Sequence, residues 1–144
     1  MKLLEQKGYR DLVVKQVKEQ ILYLLKSNTE FSIVVNMDSG IDFNPVLPEE
    51  ITSQFKEFTI FAIAGYTFKS AFVKDDTFIF EAGFGPDNIG AMVYVDIDRI
   101  IQVVIGETPI FLNLVASQPR QTYKDSFDVF AKNPKNSKFF KNKK

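Results

Sequence analysis

Histidine and cysteine do much of the chemistry of enzyme sites near neutral pH, and this 144-residue chain contains neither. The commonest general base and the thiolate nucleophile are therefore missing. So are thiolate metal ligands and disulfides. Carboxylates remain, in three close pairs: Glu49–Glu50, Asp75–Asp76 and Asp96–Asp98. Two carboxylates can divide acid and base roles when their environments push their pKa values apart. Each pair here has a local reason to exist instead. Glu49 and Glu50 follow Pro48 at a helix start, where acids suit the helix dipole. Asp75 and Asp76 lie in "KDD", a turn between two apolar runs. Asp96 precedes a periodic apolar stretch and can cap it. The expectation is a non-enzyme, with no metal and no cofactor.

Two other patterns carry chemistry in other proteins. "GFGPDNIG" is glycine-rich but lacks the Gly-Lys-Ser/Thr ending of a phosphate-binding loop, and no Lys or Arg lies near it. It reads as a strand-connecting turn that needs glycine's backbone freedom. The chain has fifteen Phe and no Trp. Aromatic strands can stack bases, but the acids nearby (Asp75, Asp76, Glu81, Asp87, Asp96, Asp98) have the wrong sign for nucleic acid. What remains is a surface suited to binding protein or peptide.

Charge is unevenly placed. The whole chain is neutral, with 18 basic and 18 acidic residues. From Gln118 to Lys144 there are eight basic residues against two acidic ones, a charge of +6, so residues 1–117 carry −6. An acidic body repels nucleic acid and anionic lipid. The segment "KFFKNKK" places Phe139 and Phe140 among Lys138, Lys141, Lys143 and Lys144. Two adjacent rings among lysines suit neither a packed core nor a plain solvated end. A membrane-surface role is a weak alternative, since one short anchor binds a bilayer only marginally. No apolar run reaches the length of a membrane span, and the start "MKLLEQKGYRD" lacks a signal-peptide pattern. The cytoplasm is the expected location.

The elements that must position these residues follow from periodicity. At 45% apolar residues, the chain has enough material for one core. Val13, Val17, Ile21 and Leu24 recur at helical spacing, with Lys15, Lys18 and Glu19 on the wet side. Leu12, Val14 and Leu22 widen that stripe, which points to a second chain against the helix. "FSIVVNM" (31–37) predicts a strand, Pro45 and Pro48 a broken segment, and "LPEEI" a single helical turn with Pro48 at its first position. "FTIFAIA" (58–64) predicts a buried strand. "TFKSAFVKDDTFIFEAGF" predicts a hairpin, and "AMVYV" (91–95) a further strand. In "DIDRIIQVVIGE" the β-branched content favours a strand. Ile97, Ile100, Ile101, Val104 and Ile105, with Asp96 as cap and Gly106 as stop, favour a helix, and helix is the reading adopted. "TPIFLNLVAS" (108–117) closes the sheet, with Pro109 placing it at an edge. The fold class is α+β: an N-terminal helix on a mostly antiparallel twisted sheet, with a short helix before the last strand. Residues 1–117 form the body and 118–144 a basic tail. Within the tail, Tyr123, Phe127 and Phe130 fit either a docked helix or a free linker.

This order of elements, with "LPEEI", "FTIFAI" and the return on "FEAGFGP", resembles SspB, the stringent starvation protein B family of adaptors for the ClpXP protease. The likeness is greatest to the alpha-proteobacterial branch and covers about residues 9–117 plus the extreme tail. Its most specific piece is Ala82-Gly83-Phe84-Gly85-Pro86, where the family shows Ala-x-Phe-Gly-Gly. Pro86 replaces the second Gly, and Asp96 after Val95 replaces a Pro, which alters the loop beside the peptide groove. The resemblance implies a homodimer with an Sm-related half-barrel, a body that grips an ssrA-like degradation tag, and a tail that docks on a ClpX-type AAA+ unfoldase. The peptide groove is expected at Ile60, Ala62, Ala82, Phe84 and Gly85, and the subunit contact at Leu12, Val14 and Leu22. Phe139, Phe140, Lys141, Lys143 and Lys144 fit the family's aromatic-plus-basic docking peptide. The alternative is a sheet-based interaction module, or a chaperone masking a partner's segment, whose tail is merely solvated.

Overall fold

The computed structural model describes residues 2–120. Helix α1 (Lys7–Lys26) follows a 3-10 turn at Lys2–Glu5. It buries Val13, Val14, Val17, Ile21 and Leu24, the stripe set by its 3.6-residue period. Asn28 stops it by taking φ +59, a left-handed conformation that Asn tolerates. Thr29 N–H then bonds the Leu24 carbonyl at 2.9 Å, and Asn28 N–H bonds that of Leu25 at 3.3 Å. Two of the carbonyls left bare by the helix end are thereby satisfied.

Strands β1 (Phe31–Asn36), β2 (Ile41–Asn44), β3 (Phe58–Ile63), β4 (Phe72–Lys74), β5 (Thr77–Phe84), β6 (Ile89–Asp96), β7 (Ile100–Ile105) and β8 (Thr108–Leu112) form two four-stranded sheets. Their orders are β3-β1-β7-β8 and β2-β6-β5-β4, and every pairing is antiparallel. Two one-turn helices lie between strands: α2 (Glu49–Thr52) and α3 (Tyr66–Ser70). The architecture is α+β with an N-terminal helix and two antiparallel sheets.

The core lies between the sheets. Ile33, Val35, Phe61, Ile63, Ile100 and Val103 come from one; Phe78, Phe80, Val93 and Val95 come from the other. Eight phenylalanines connect through it ring to ring. Phe68 touches Phe31 at 6.4 Å, Phe31 touches Phe78 at 6.1 Å, and Phe78 touches Phe80 at 5.3 Å. The series continues through Phe61 at 5.7 Å to Phe84 at 6.4 Å. It finishes at Phe43 and Phe55, which stack on each other at 5.6 Å.

Several expectations are corrected. Residues 97–105 are not a helix: a 3-10 turn at Ile97–Arg99 leads into β7. A run that fits both periods is decided by its neighbours. Here β1 needs a partner on its second edge, and Ile, Val and Val at 100, 103 and 104 are buried as strand residues. Gly106, φ +62, turns the β7–β8 hairpin instead of ending a helix. The last strand stops at Leu112 and gives way to a 3-10 turn at Leu114–Ser117. β8 does lie at a sheet edge, and Pro109 with its missing N–H sits there. Pro48 is the N-cap of α2 and not its first helical residue. The segment before it holds the unexpected strand β2, and α3 was equally unannounced. β3 is an edge strand buried on one face only, not a fully buried one. Val14 is 3% exposed within the protomer's own core, so it is not available to a second chain.

Asp96 does not cap anything through its side chain. Instead Arg120 Nη2 donates to Asp96 Oδ2 at 2.8 Å and to Asp98 Oδ1 at 3.2 Å. Asp98 is 3% exposed. It also accepts from Arg10 Nε of α1 at 3.4 Å. Arg99, itself buried, donates to Asp38 at 2.8 Å and to the Gln118 carbonyl at 3.2 Å. Burial works against the charge on Arg10 and Arg120, but their acidic partners more than offset it, and both guanidinium pKa values are raised. The cluster joins α1, the β6–β7 junction and residues 118–120.

Removing one partner of a fully buried ion pair costs about 3–5 kcal/mol. Arg10 and Arg120 reach solvent, so Asp98→Asn is expected to cost less, about 2–3 kcal/mol, read as a lower urea midpoint. An unchanged midpoint would show that the cluster holds nothing.

Candidate functional site

The β5–β6 hairpin is built by its small and amide residues. Gly85 at φ +73 and Asn88 at φ +50 make the left-handed steps of the four-residue loop. Asn88 N–H closes it on the Gly85 carbonyl at 3.1 Å. Gly83 and Gly90 face each other across the hairpin. A Cβ on Gly83 would lie 1.8 Å from Asn88 Oδ1, so the Asn88 side chain occupies the space glycine leaves. Helix α2 lies against the same loop: a Cβ on Gly85 would sit 3.0 Å from Ile51 Cδ1.

Between α2 and this hairpin is a cleft of about 470 Å³. Its apolar wall is Ile51, Phe55, Phe84 and Ile89, and its only charged lining residues are Glu50 and Asp87. Phe55 and Phe84 are the outer end of the phenylalanine series, in contact at 6.1 Å. Beside the cleft lies a second hollow of about 300 Å³, with Tyr66, Glu81, Ala82, Gly83 and Asn88 in its wall. There Tyr66 Oη donates to Glu81 Oε1 at 2.5 Å, and that bond to a carboxylate raises the Tyr66 pKa. Both hollows combine apolar surface with acid and offer no basic side chain. Such a site can hold a peptide by shape and charge. Among the described residues no group of acids is placed to bind a metal, and no described helix is long and apolar enough to cross a membrane.

The expected peptide residues do not all meet. Phe84 and Gly85 share the cleft, and Ala82 lines the adjoining hollow. Ile60 and Ala62 lie elsewhere. Side chains alternate along a strand; Phe61 and Ile63 turn into the core, so Ile60, 60% exposed, and Ala62 point to the opposite face of β3. In register, Ile60, Val34, Gln102 and Leu112 form a row across that outer face. Ile51, Phe55 and Ile89 were missed. The signal for Ile51 was present in "LPEEI", where it is the one large apolar residue of the turn. Of the proposed subunit contacts, Leu12 and Leu22 are exposed on α1. Phe139, Phe140, Lys141, Lys143 and Lys144, and the possible helix or linker at 120–131 beyond Arg120, lie outside the described residues.

No protein-family model and no curated protein matches the chain.

Gly85→Ala would force a Cβ into a left-handed conformation and against Ile51. A loss of about 1–2 kcal/mol is expected, with a narrowed cleft. Urea unfolding measures the first effect; a variant as stable as the parent would mean the loop relaxes without cost.

Proposed function

We propose that the chain is a non-catalytic adaptor of the SspB type. It holds an ssrA-like degradation tag in the cleft between α2 and the β5–β6 hairpin. Its segment 137–144 docks on a ClpX-type unfoldase, so that the tagged polypeptide is delivered for proteolysis. The observation that carries this reading is the cleft itself. It holds two of the five residues expected for the tag, Phe84 and Gly85, and it joins an aromatic wall to strand and loop backbone. A peptide laid there gains side-chain burial and main-chain hydrogen bonds together. The SspB-like, Sm-related form of the sandwich, the cytoplasmic location and the homodimer belong to the same proposal. Two modest contacts on one molecule then act with an effective concentration in the millimolar range.

Placing a charge in the apolar wall tests tag capture. Ile51→Glu is expected to weaken binding of a fluorescent ssrA-tag peptide at least about tenfold, roughly the 1.4 kcal/mol scale of a lost apolar contact. Ala82→Gln, in the adjoining hollow, should weaken it less. Deleting residues 137–144 should abolish stimulated degradation by the unfoldase while the body still binds the tag. Equal delivery by the shortened protein would reduce the tail to a solvated end.

Assembly has its own test. Leu12 and Leu22 remain exposed on α1 and are the proposed subunit contact. The protein should sediment as a dimer at micromolar concentration, and Leu12→Glu with Leu22→Glu should shift it to a monomer of 16.5 kDa. A parent that already sediments as a monomer rejects the contact.

A second reading has one observation in its favour. The row Ile60, Val34, Gln102 and Leu112 offers apolar surface on the outer face of a sheet, away from the cleft. A general interaction module or chaperone would use that face. Tag binding that is indifferent to Ile51→Glu but lost in Ile60→Glu would favour it.

A further inference from the structure

The cleft and the segment "KFFKNKK" are chemically matched. Ile51, Phe55, Phe84, Pro86 and Ile89 give the cleft its apolar lining, and Glu50 and Asp87 are its charged residues. Lys138-Phe139-Phe140-Lys141 presents two rings flanked by two positive charges. The same complementarity holds at larger scale, with −6 on residues 1–117 and +6 on 118–144. The lysines cannot follow the rings into an apolar space, but they can meet carboxylates at its rim.

The departure point of the tail also allows it. Arg120 is held beside Asp96, at the far end of β6 from the cleft residue Ile89. Seven strand steps from Ile89 to Asp96 cover about 24 Å at roughly 3.4 Å each. Nineteen residues lead from Arg120 to Phe139 and can extend up to about 63 Å. The chain is long enough to bring its own rings back to the cleft around the surface.

We propose that the chain's own segment 138–141 occupies the cleft when no tagged polypeptide does. This rests on reading the cleft as a peptide site, and it adds regulation to that reading. One segment cannot fill the cleft and dock on an unfoldase at once. Tag binding therefore releases the docking peptide, and an adaptor without cargo keeps it hidden. Apparent tag affinity is lowered by the fraction of clefts left open.

The full chain and its Phe139→Ser/Phe140→Ser variant decide it by two measurements. Backbone amide shifts of Ile51, Gly85, Asp87 and Ile89 should differ between the two proteins, at all protein concentrations, and the difference should shrink with added salt. The affinity for a labelled ssrA-tag peptide should rise about three- to tenfold in the variant, the inverse of the open fraction. Unchanged cleft amides overturn the proposal. So do changes that grow with protein concentration, which indicate a second copy's segment, and changes confined to the Ile60–Leu112 row. Cleft shifts with no tag binding to either protein would sink the adaptor reading and leave self-docking standing. Equal tag binding without cleft shifts would do the reverse.

Discussion

Contact among phenylalanine rings is what the two sheets have in common. Six of the eight connected rings belong to strands: Phe31 and Phe61 to one sheet, Phe43, Phe78, Phe80 and Phe84 to the other. Phe55 follows α2, and Phe68 lies within α3. Edge-to-face and stacked ring pairs add about 0.5–1.5 kcal/mol each to the burial of their area. More important here is geometry. Flat rings fill the space between sheets without polar atoms that need partners, and they share it with Ile33, Val35, Val93 and Val95. The middle of this series is sealed, with Phe78 and Phe80 fully buried. The outer end is not. Phe55 and Phe84 form both the last part of the core and the wall of the cleft. Packing and binding are thus one structure, and a change in either ring would disturb both.

Much of this was legible from the residues. The α1 stripe, the "KDD" turn, the alternation of β5 and the edge position of β8 all come from patterns confined to one element. The misreadings share a different origin. Residues 97–105 satisfy helical spacing and strand composition together, and only a neighbour far along the chain, β1, selects between them. Ile41 and Phe43 of β2 are followed by cis-linked Pro45, and two prolines within four residues outweigh an alternation only four residues long. For the cleft, Phe84 and Gly85 were identified from a local motif. Ile60 is expected in the same groove from the resemblance, but strand alternation turns it to the face of β3 opposite the buried Phe61 and Ile63. Ile51 and Phe55 could not be assigned because their role depends on where a loop folds in space.

Electrostatics divides the molecule in a complementary way. Acids near the cleft stand exposed and without basic neighbours in the lining, open to a partner. At the other end of β6, Asp96 and Asp98 are already answered by Arg10 and Arg120. The first arrangement invites a charge from outside, whereas the second fixes the point where residues beyond 120 leave the body.

The four sheet edges are unequal in a way that bears on how the protein behaves when crowded. β4 has only three residues and ends in Lys74; β8 carries Pro109. Short length, charge and proline all discourage strands of other molecules from adding on. β3 has none of these protections. Its sequence, "FTIFAI", is six residues of apolar and β-branched side chains without charge, proline or glycine, with Phe58 and Ile60 exposed. That is the composition from which cross-β stacks assemble. Colloidal stability therefore depends on how often the β3 edge meets its like, and this one strand limits the concentration the protein can tolerate before ordered aggregation begins.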